Sequence, residues 1–328
     1  MHPFSYTRAN EPQAAIAAVQ SAGSEFIAGG TDILQLLKAG QRTPRRLIDI
    51  NALPLASIEV DSTGARIGAL ARMSDVADHP GIVENFPAIS QALLLSASAQ
   101  LRNMASIGGN LLQRTRCTYF RDASFVACNK RRPGSGCAAI GGENRMHAIL
   151  GGSDACVATH PSDLAVALVA LEAIVRLLGP DGGRSVPIAE FHALPGHSPH
   201  IENVLRPGEL IIGIDVPAAA HARRSHYLKV RDRTSYEFAL TSAAVGLDIA
   251  DGRVHGARIA MGGIGTKPWR LQAVEGALVG TRAGDALAWK AAADKLAVGA
   301  RPLEKNAFKI ELAKRTILRA LGTVARAT

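Results

Sequence analysis

The sequence predicts an α+β protein assembled from three packed units. Its 328 residues exceed the length that a single hydrophobic core usually organises. The first part carries a strand, a Gly-Gly turn, a helix and a second strand in close succession, whereas the later parts carry hairpins and Ala-rich helices. We place the three units at residues 1–56, 57–218 and 219–328.

The first unit is predicted as a small parallel α/β unit. A helix in EPQAAIAAVQSAG leads to the strand EFIAGG, to a helix from Thr31 through ILQLLKAG, and to the strand RRLIDI at 45–50. Because a strand–helix–strand connection returns the chain in the same direction, the two strands are expected to be parallel. The segment around Pro54 is predicted as a linker.

The second unit alternates hairpins with helices. The hairpin IEVDSTGARIGAL turns at 61–64, and a second hairpin turns at 179–182. Helical patterns cover PAISQALLLSASAQLRNMA at 87–105 and SDLAVALVAL at 162–171, and the strand LIIGIDVP at 210–217 closes the unit.

The third unit opens with strands and ends with helices. From about His221 the pattern predicts strands that an Asp251-Gly252 turn interrupts. Ala-rich helices then fill the remainder to Thr328.

Composition excludes several classes of partner. The formal charge is +9, but the basic residues are scattered and no stacking aromatics interleave them, so we expect no nucleic-acid partner. The most apolar stretch, at 164–178, is short and contains Glu172 and Arg176, so we expect no membrane span. The first residues lack the basic and apolar regions of a signal peptide, which by itself favours the cytoplasm.

All four cysteines of the chain fall within 40 residues, with ten, eight and eighteen residues between them. Random placement would give such clustering in roughly one sequence in a hundred. The tight C-x₂₋₄-C pair of a zinc site is absent, an even count allows two disulfides, and a long loop can wrap an iron–sulfur cluster. The residues alone leave these three interpretations open.

Neighbouring residues favour an anionic metal cluster in this loop. Gly134 and Gly136 would allow backbone N–H groups to approach the sulfurs, and the basic run at 130–132 would offset the charge of four thiolates. The letters GSGCAA at 134–139 match a dinucleotide fingerprint, but no apolar strand precedes them, so we reject a Rossmann site.

Two Gly-Gly loops predict a phosphate site. FIAGGTDIL at 26–34 places Gly29 and Gly30 between a strand and a helix N-terminus, where N–H groups and the helix dipole favour an anion. RNMASIGGN at 102–110 offers a second such loop, so the pair could hold one pyrophosphate from both sides. Two ordinary turns are the alternative.

These loops, followed by ATHPSDLAVAL and LRPGELIIGIDVP, resemble the FAD-binding medium subunit of the xanthine dehydrogenase family of molybdenum hydroxylases. The resemblance covers almost the whole chain. It implies a FAD-binding PCMH-type (vanillyl-alcohol-oxidase-like) two-subdomain fold, followed by a C-terminal α+β domain of the CO dehydrogenase flavoprotein type.

The cysteine insertion at 114–157 narrows the resemblance. It is similar to the periplasmic aldehyde oxidoreductase type, whose flavin subunit also holds a [4Fe–4S] cluster. The resemblance therefore implies that the cluster ligands are Cys117, Cys128, Cys137 and Cys156.

The resemblance also implies which residues hold FAD. The loop that wraps the pyrophosphate consists of Glu25, Phe26, Ile27, Ala28, Gly29, Gly30, Thr31, Asp32 and Ile33. The second phosphate and ribityl wall consists of Ala105, Ser106, Gly109 and Asn110.

Four further residues match positions that contact or approach the cofactor in this family. Thr159 and Asp163 match a hydroxyl and a carboxylate contact, and Ile211 matches an aliphatic side chain beside the cofactor. Lys229 matches a lysine near the isoalloxazine, where a cation would stabilise the reduced ring. A helix cap is the alternative role for Asp163, and a plain surface lysine is the alternative for Lys229.

The implied function is electron transfer with no catalytic residue on this chain. Substrate would be oxidised at a molybdopterin cofactor on a large partner subunit, and electrons would pass through a [2Fe–2S] small subunit to FAD here and then to an external electron acceptor. The three subunits would form a heterotrimer or a multiple of it. The implied location is the periplasm, reached by co-export with a partner that bears a twin-arginine signal, and the cytoplasm is the alternative.

Two other functions stay open. Within the family, the subunit of a 4-hydroxybenzoyl-CoA reductase-type enzyme also carries four cysteines in an insertion. From another class, a metal-stabilised basic scaffold protein without a redox role would use the cysteines for structure alone.

Overall fold

The structure of the chain is a computed structural model that describes residues 1–326. Its strands are β1 Ser5–Arg8, β2 Ser24–Ile27, β3 Arg46–Asp49, β4 Ile58–Asp61, β5 Gly64–Gly68, β6 Ile174–Gly179, β7 Gly182–Pro187, β8 Leu210–Pro217, β9 Ser225–Val230, β10 Thr241–Ala250, β11 Arg253–Gly262 and β12 Trp269–Arg270. Its α-helices are α1 Pro12–Val19, α2 Ile33–Lys38, α3 Met73–Asp78, α4 Pro80–Asn85, α5 Pro87–Leu94, α6 Ala99–Arg102, α7 Ile107–Leu111, α8 Thr118–Arg121, α9 Asp163–Ala170, α10 Ile188–Phe191, α11 Ala220–Arg223, α12 Gln272–Leu278, α13 Ala286–Asp294 and α14 Phe308–Arg326.

The first sheet is parallel and has the order β1-β3-β2. Ser5 and Ser24 both pair with Arg46 from opposite sides, which confirms the predicted parallel pairing of β2 and β3. The edge strand β1 was not predicted, because SYTR has no buried face to mark it as a strand. Ile48 in the central strand is fully buried and packs with Leu70 and Leu210 of the second unit.

The second sheet is antiparallel and has the order β4-β5-β8-β6-β7. Both predicted hairpins, β4–β5 and β6–β7, are present with the expected turns. Helix α9 packs against α5 and against the third sheet, and all eight of its residues are buried. It is apolar on every face because it lies between two units.

The third sheet is antiparallel, has the order β12-β11-β10-β9, and is covered by helix α14. The Asp251-Gly252 turn joins β10 and β11, and both of its residues have positive φ, at 51° and 68°. That geometry is a tight hairpin turn of the primed type. Helix α14 ends at Arg326, and the last two residues of the predicted helical region lie outside the described residues.

One predicted helical stretch is interrupted. The pattern at 87–105 yields α5 and α6, with Ala97 between them at a φ of 50°. The Ser96 hydroxyl donates to the Ala92 carbonyl, and Ser98 caps α6 by accepting from the Leu101 N–H. Serine side chains compete with the helical backbone for hydrogen bonds, so this SAS segment ends one helix and starts another.

The boundaries at 56 and 218 stay predictions. Among residues 1–326, none of the helices combines the length and apolar character that a membrane span requires.

Candidate functional site

Most of the predicted cofactor residues line a groove between the first and second units. We call it the glycine groove, and its lining includes residues 24–33, Arg42, Ser106, Gly108, Gly109, Arg114 and the 208–211 segment. It thus brings together Glu25, Phe26, Ile27, Ala28, Gly29, Gly30, Thr31, Asp32, Ile33, Ser106, Gly109 and Ile211. Strand β2 and helix α2 present the first loop, and helix α7 presents the second.

The first loop has free backbone donors. Within residues 1–326, no internal acceptor is found for the N–H groups of Gly29, Gly30 and Thr31. Gly30 has a φ of 73°, which glycine adopts without strain. Consecutive unpaired N–H groups before a helix form an anion-binding concavity, so this loop fits a phosphate group.

The two glycine loops touch closely at Gly29. A Cβ atom built on Gly29 would lie 1.8 Å from the carbonyl oxygen of Met104, which is far inside van der Waals contact. Only glycine therefore allows the second loop to approach the first. In that second loop, the Gly108 N–H donates to the Ala69 carbonyl and the Gly109 N–H to the Ser106 hydroxyl, so its backbone donors are used internally.

Arginines around Asp32 are a part of the site that sequence reasoning missed. The Asp32 carboxylate accepts from the Arg114 N–H at 2.8 Å, and it pairs with Arg116 at 2.8 Å and with Arg121 at 2.9 Å. Burial lowers the pKa values of Arg114 and Arg116, and the nearby carboxylates of Glu202 and Asp32, respectively, oppose the shift. The run QRTRC after the second glycine loop could have indicated a basic wall for a pyrophosphate.

A second cavity lies between the second and third units. We call it the central pocket, and it is lined by 116–118, 143, 145–147, 159–163, 237–239, 242, 262 and 263. Two of the predicted cofactor residues, Thr159 and Asp163, line this pocket, whereas Asp32 lines the glycine groove. The ion pair between Asp32 and Arg116 joins the two cavities, because Arg116 lines the central pocket.

Asp163 is the centre of a buried polar network. Its carboxylate accepts from Lys229 Nζ at 2.7 Å and from the Tyr227 hydroxyl at 2.5 Å, and it lies 2.9 Å from the Ser96 hydroxyl oxygen. Burial, then the Asp163 charge, raises the pKa of Tyr227, so the phenol stays protonated and donates. The network fixes one carboxylate at the wall of the central pocket.

The alternative roles for Asp163, as a helix cap, and for Lys229, as a surface lysine, are both wrong. Ser162, not Asp163, caps helix α9, because its hydroxyl accepts from the Ala165 N–H at 3.0 Å. The Lys229 side chain is 1% exposed, so it is not a surface lysine. Lys229 is not among the residues that line the central pocket, but its ammonium donates to Asp163, which does line it. The same ammonium donates to the Leu95 carbonyl at 3.2 Å.

Two other predicted residues stand behind the cavity walls. Asn110 is buried, and its side chain accepts from the Ser162 hydroxyl at 2.5 Å and contacts the Met73 sulfur at 3.3 Å. Ala105 lies beside the Gly29 contact, and its carbonyl accepts from the Met73 N–H. Both residues hold the second loop in place and do not line the glycine groove or the central pocket.

The four cysteines converge on one small cavity. We call it the cysteine cavity, and its lining includes Cys117, Cys128, Cys137, Cys156 and Lys130. Cys128 and Cys137 face each other in an antiparallel bridge, and all four cysteines are free. The disulfide interpretation is therefore not what the structure contains.

The cysteine cavity contains the thiol donors that an iron–sulfur cluster would need. Within residues 1–326, no three Cys, His, Asp or Glu side chains are grouped closely enough to hold one metal ion. A [4Fe–4S] core takes four thiolates, each on a different iron, and four cysteines line this one cavity. Burial raises the pKa of the Cys117 thiol to about 12, so a thiolate at Cys117 would need a nearby cationic centre to form.

Two expectations about the cysteine loop need correction. The Gly136 N–H donates to Asn129 Oδ1 at 2.8 Å and is not directed at a sulfur. Of the basic run, Lys130 lines the cysteine cavity, whereas Arg131 donates to loop carbonyls and Arg132 is exposed. Lys130 pairs with Glu202 at 2.8 Å and lowers the pKa of Cys156 against a larger upward effect of burial.

Cys117 connects the cysteine cavity to the central pocket, since it lines both. The His147 ring, which also lines the central pocket, lies with Nε2 3.1 Å from the Cys117 sulfur. Burial, assisted by the Lys309 charge, lowers the pKa of His147 to about 4, so the imidazole is neutral at pH 7. The central pocket is therefore linked to the glycine groove by the Asp32–Arg116 ion pair and to the cysteine cavity by Cys117.

Two family models cover nearly all of the chain. The FAD-binding domain of molybdopterin dehydrogenases matches residues 2–219, and the CO dehydrogenase flavoprotein C-terminal domain matches residues 226–324.

Individual relatives agree with these models. The aldehyde oxidoreductase FAD-binding subunit PaoB of Escherichia coli is 47% identical over 325 residues, which is 98% of each chain. The glyceraldehyde dehydrogenase medium chain of Sulfolobus acidocaldarius is 26% identical over 88% of this chain and 85% of its own. A solved carbon monoxide dehydrogenase from Hydrogenophaga pseudoflava superimposes with a TM-score of 0.76 at 25% identity, over 98% of this chain and 97% of that one.

The comparisons confirm the predicted family and the predicted α+β fold class. They identify an FAD-binding domain before the 219–226 junction and a flavoprotein C-terminal domain after it, which supports FAD as the cofactor. The assignment of FAD to the glycine loops stays a prediction. This chain belongs to the family of FAD-binding medium subunits of the molybdenum hydroxylases.

Proposed function

We propose that this chain is the electron-transfer flavoprotein subunit of a molybdenum-dependent aldehyde oxidoreductase. The observation that carries the proposal is the 47% identity, over 98% of both chains, to an aldehyde oxidoreductase FAD-binding subunit. Similarity to a glyceraldehyde dehydrogenase medium chain supports the same substrate class.

In this proposal, FAD is held by residues of the glycine groove and the central pocket. The free N–H groups of Gly29, Gly30 and Thr31 would hold the pyrophosphate, with Arg114 as a nearby cation. Asp163, fixed by Lys229 and Tyr227, would orient the cofactor from the wall of the central pocket. FAD bound there accepts single electrons and passes on two.

We further propose that Cys117, Cys128, Cys137 and Cys156 hold a [4Fe–4S] cluster. Support comes from their shared cavity and their free thiols. Lys130, beside Cys156, would offset part of the negative charge of the thiolates.

The proposed partners follow from the family. A small subunit with [2Fe–2S] clusters would deliver electrons, and a large subunit with the molybdopterin cofactor would oxidise the aldehyde. Medium chains of multi-subunit dehydrogenases among the relatives support a heterotrimer or a multiple of it.

The cofactor part of the proposal is tested by spectroscopy on anaerobically purified chain. We expect flavin absorption bands on a broad absorbance that bleaches with dithionite, and about four irons per chain. Cys128→Ser should remove the broad absorbance, whereas Val126→Ala, an exposed change in the same loop, should keep it. Flavin bands with no iron would contradict the cluster, and failure to take up FAD would contradict the whole proposal.

The substrate class is tested on the complete enzyme, co-purified with its partner subunits. We expect an aromatic or aliphatic aldehyde, which donates two electrons on oxidation to the acid, to bleach the flavin bands of the oxidised enzyme anaerobically. 4-Hydroxybenzoyl-CoA, which accepts two electrons on loss of its hydroxyl group as water, should not restore the bands of the dithionite-reduced enzyme. Failure of the aldehyde to bleach the bands, in enzyme that dithionite reduces, would contradict the aldehyde proposal, and recovery of the bands with 4-hydroxybenzoyl-CoA would favour the reductase alternative.

We propose that the chain reaches the periplasm by co-export with a partner that carries a twin-arginine signal. Cell fractionation should place the chain in the periplasm only when that partner is co-expressed. Export of the chain expressed alone would contradict co-export, and retention of the complete enzyme in the cytoplasm would contradict the periplasmic location.

A further inference from the structure

His147 makes a side-chain contact with a proposed cluster ligand. Its Nε2 atom lies 3.1 Å from Cys117 Sγ, within the range of a hydrogen bond to sulfur. The residue is 5% exposed, so water does not compete for the ring. No metal-binding motif in the sequence includes this histidine, which follows Cys117 by 30 residues.

The contact is held by the third unit of the chain. The His147 carbonyl accepts from Lys309 Nζ at 3.0 Å and from Asn306 Nδ2 at 3.2 Å, at the start of helix α14. The His147 N–H donates to the Asn144 carbonyl at 2.9 Å, and Asn144 Oδ1 accepts from the Lys305 N–H. The backbone of His147 is therefore fixed from both sides, and its ring is directed at the sulfur.

The direction of the hydrogen bond follows from the chemistry of the thiol. A cysteine bound to iron has lost its proton, so a hydrogen bond at its sulfur must be donated by the ring. Within the described residues, Nδ1 of His147 is buried and has no partner. A neutral ring with its single proton on Nε2 satisfies the sulfur and leaves no donor unpaired.

From these contacts we infer that His147 donates a hydrogen bond from Nε2 to Sγ of Cys117 and thereby raises the reduction potential of the cluster. The inference rests on the proposed [4Fe–4S] cluster. A donor at a ligand sulfur stabilises the reduced cluster more than the oxidised one, because reduction adds negative charge to the core and its thiolates. His147 is a positioning residue, since it acts on the cluster through Cys117.

The position of Cys117 connects this hydrogen bond to electron transfer between the cluster and the flavin. Cys117 is the cysteine that lines both the cysteine cavity and the central pocket, so it lies between the proposed cluster site and that pocket. A change in the cluster potential alters the equilibrium distribution of electrons between cluster and flavin. His147 therefore sets how readily electrons reside on the cluster.

The test is a redox titration of the cluster, followed by electron paramagnetic resonance, in the complete enzyme. We expect His147→Leu to lower the midpoint potential, because the donor is lost, and His147→Gln to recover part of the shift through its amide N–H. The matched control is His192→Gln, which changes another buried histidine whose Nε2 contacts the Leu111 carbonyl. The control should keep the wild-type potential, and flavin content should be equal in all four proteins.

The outcomes separate the inference from the proposed function. A wild-type enzyme without a cluster signal contradicts the proposed cluster, and the inference with it. A wild-type cluster whose potential is unchanged in His147→Leu contradicts the inference alone.

A measurement on the wild-type enzyme covers the case in which His147→Leu does not assemble. Protein labelled with ¹⁵N only at histidine should show nuclear coupling between a histidine nitrogen and the reduced cluster, together with an exchangeable proton that disappears in D₂O. Absence of this coupling would overturn the inference.

Discussion

Gly29 illustrates how one missing side chain shapes the site. Since a Cβ atom would lie 1.8 Å from the Met104 carbonyl oxygen, Gly29→Ala must push the two glycine loops apart. We expect about tenfold weaker FAD binding, equivalent to about 1.4 kcal/mol, with a lower melting temperature. Flavin retention on gel filtration and thermal unfolding measure both effects.

Gly276→Ala is the matched control for this substitution. Gly276 lies inside helix α12, and among residues 1–326 no atom other than those of its chain neighbours and its own helix backbone lies within 4 Å of its Cβ position. Alanine there should keep FAD binding and add up to about 1 kcal/mol of stability from helix propensity. Equal FAD binding by wild type and Gly29→Ala would show that the loops do not need their close approach.

The Asp163–Lys229 ion pair gives a second prediction at the residue scale. Both side chains are almost fully buried, at 7% and 1% exposure. Asp163→Asn leaves a buried ammonium without its counter-charge, so we expect a loss of about 3–5 kcal/mol in the free energy of unfolding. Chemical denaturation measures this loss.

The double variant Asp163→Asn/Lys229→Met is the control for that ion pair. Because it removes both charges, it should be more stable than Asp163→Asn alone. The free energies of unfolding lost in Asp163→Asn alone and in Lys229→Met alone should not simply add in the double variant. If they do add, the buried pair does not act as one unit.

At the scale of elements, Asp49 holds the parallel sheet together. Lying at the end of β3, its carboxylate accepts from the Tyr6 hydroxyl and Arg8 Nε of β1 and from the backbone and side chain of Asn51. Burial alone would raise the pKa of Asp49, but these hydrogen bonds outweigh it and lower the pKa from 3.8 to about 2.

This shift predicts a pH dependence of stability. A lowered folded-state pKa stabilises the folded chain fully above about pH 4, by about 2 kcal/mol, and the stabilisation is lost as the pH falls through 2. Asp49→Asn should therefore be less stable at pH 7 and should approach the wild type near pH 2. Urea unfolding at both pH values measures it, and Asp181→Asn, in an exposed turn, should match the wild type throughout.

Some helices and strands could be predicted from the sequence and others could not. The β2–α2–β3 unit and both hairpins were predicted because Gly, Pro and Asp turns and apolar alternation are local signals. Strand β1 and the break at Ala97 were missed, because a polar edge strand has no periodicity and the contact of Ser96 with Asp163 forms only when distant segments pack.

At the scale of the whole molecule, Glu202 connects the proposed flavin and cluster sites. Its carboxylate pairs with Arg114, which lines the glycine groove, and with Lys130, which lines the cysteine cavity. Glu202→Gln leaves two half-buried cations without a counter-charge, so we expect FAD content and iron content to fall together. Flavin and iron analysis of the purified enzyme measures both.

Glu84→Gln serves as the control for this coupling. Glu84 pairs with Arg223 at an exposed site, with side chains 68% and 66% exposed, where an ion pair contributes about 0–1 kcal/mol. Both cofactor contents should stay at the wild-type level in this variant. Loss of iron without loss of FAD in Glu202→Gln would mean that the two sites are independent.

The sequence by itself determined the family, the fold class, the glycine loops and the candidate thiols. These features depend on residue types at short spacings, such as FIAGGTDIL, or on clustering that can be counted. Backbone freedom at glycine and the donor chemistry of cysteine are properties of single residues, so they can be recognised before the chain is folded.

Only the tertiary structure decided which side chains work together. Lys229 contacts Asp163, which is 66 residues away in the sequence, and His147 contacts Cys117, which is 30 residues away. Glu202 pairs with one arginine and one lysine, Arg114 and Lys130, which line the two proposed cofactor sites. Such pairs have no local pattern, because each forms only when separate units pack and bury both partners. Packing then fixes the direction in which each side chain points, which cannot be read from the sequence.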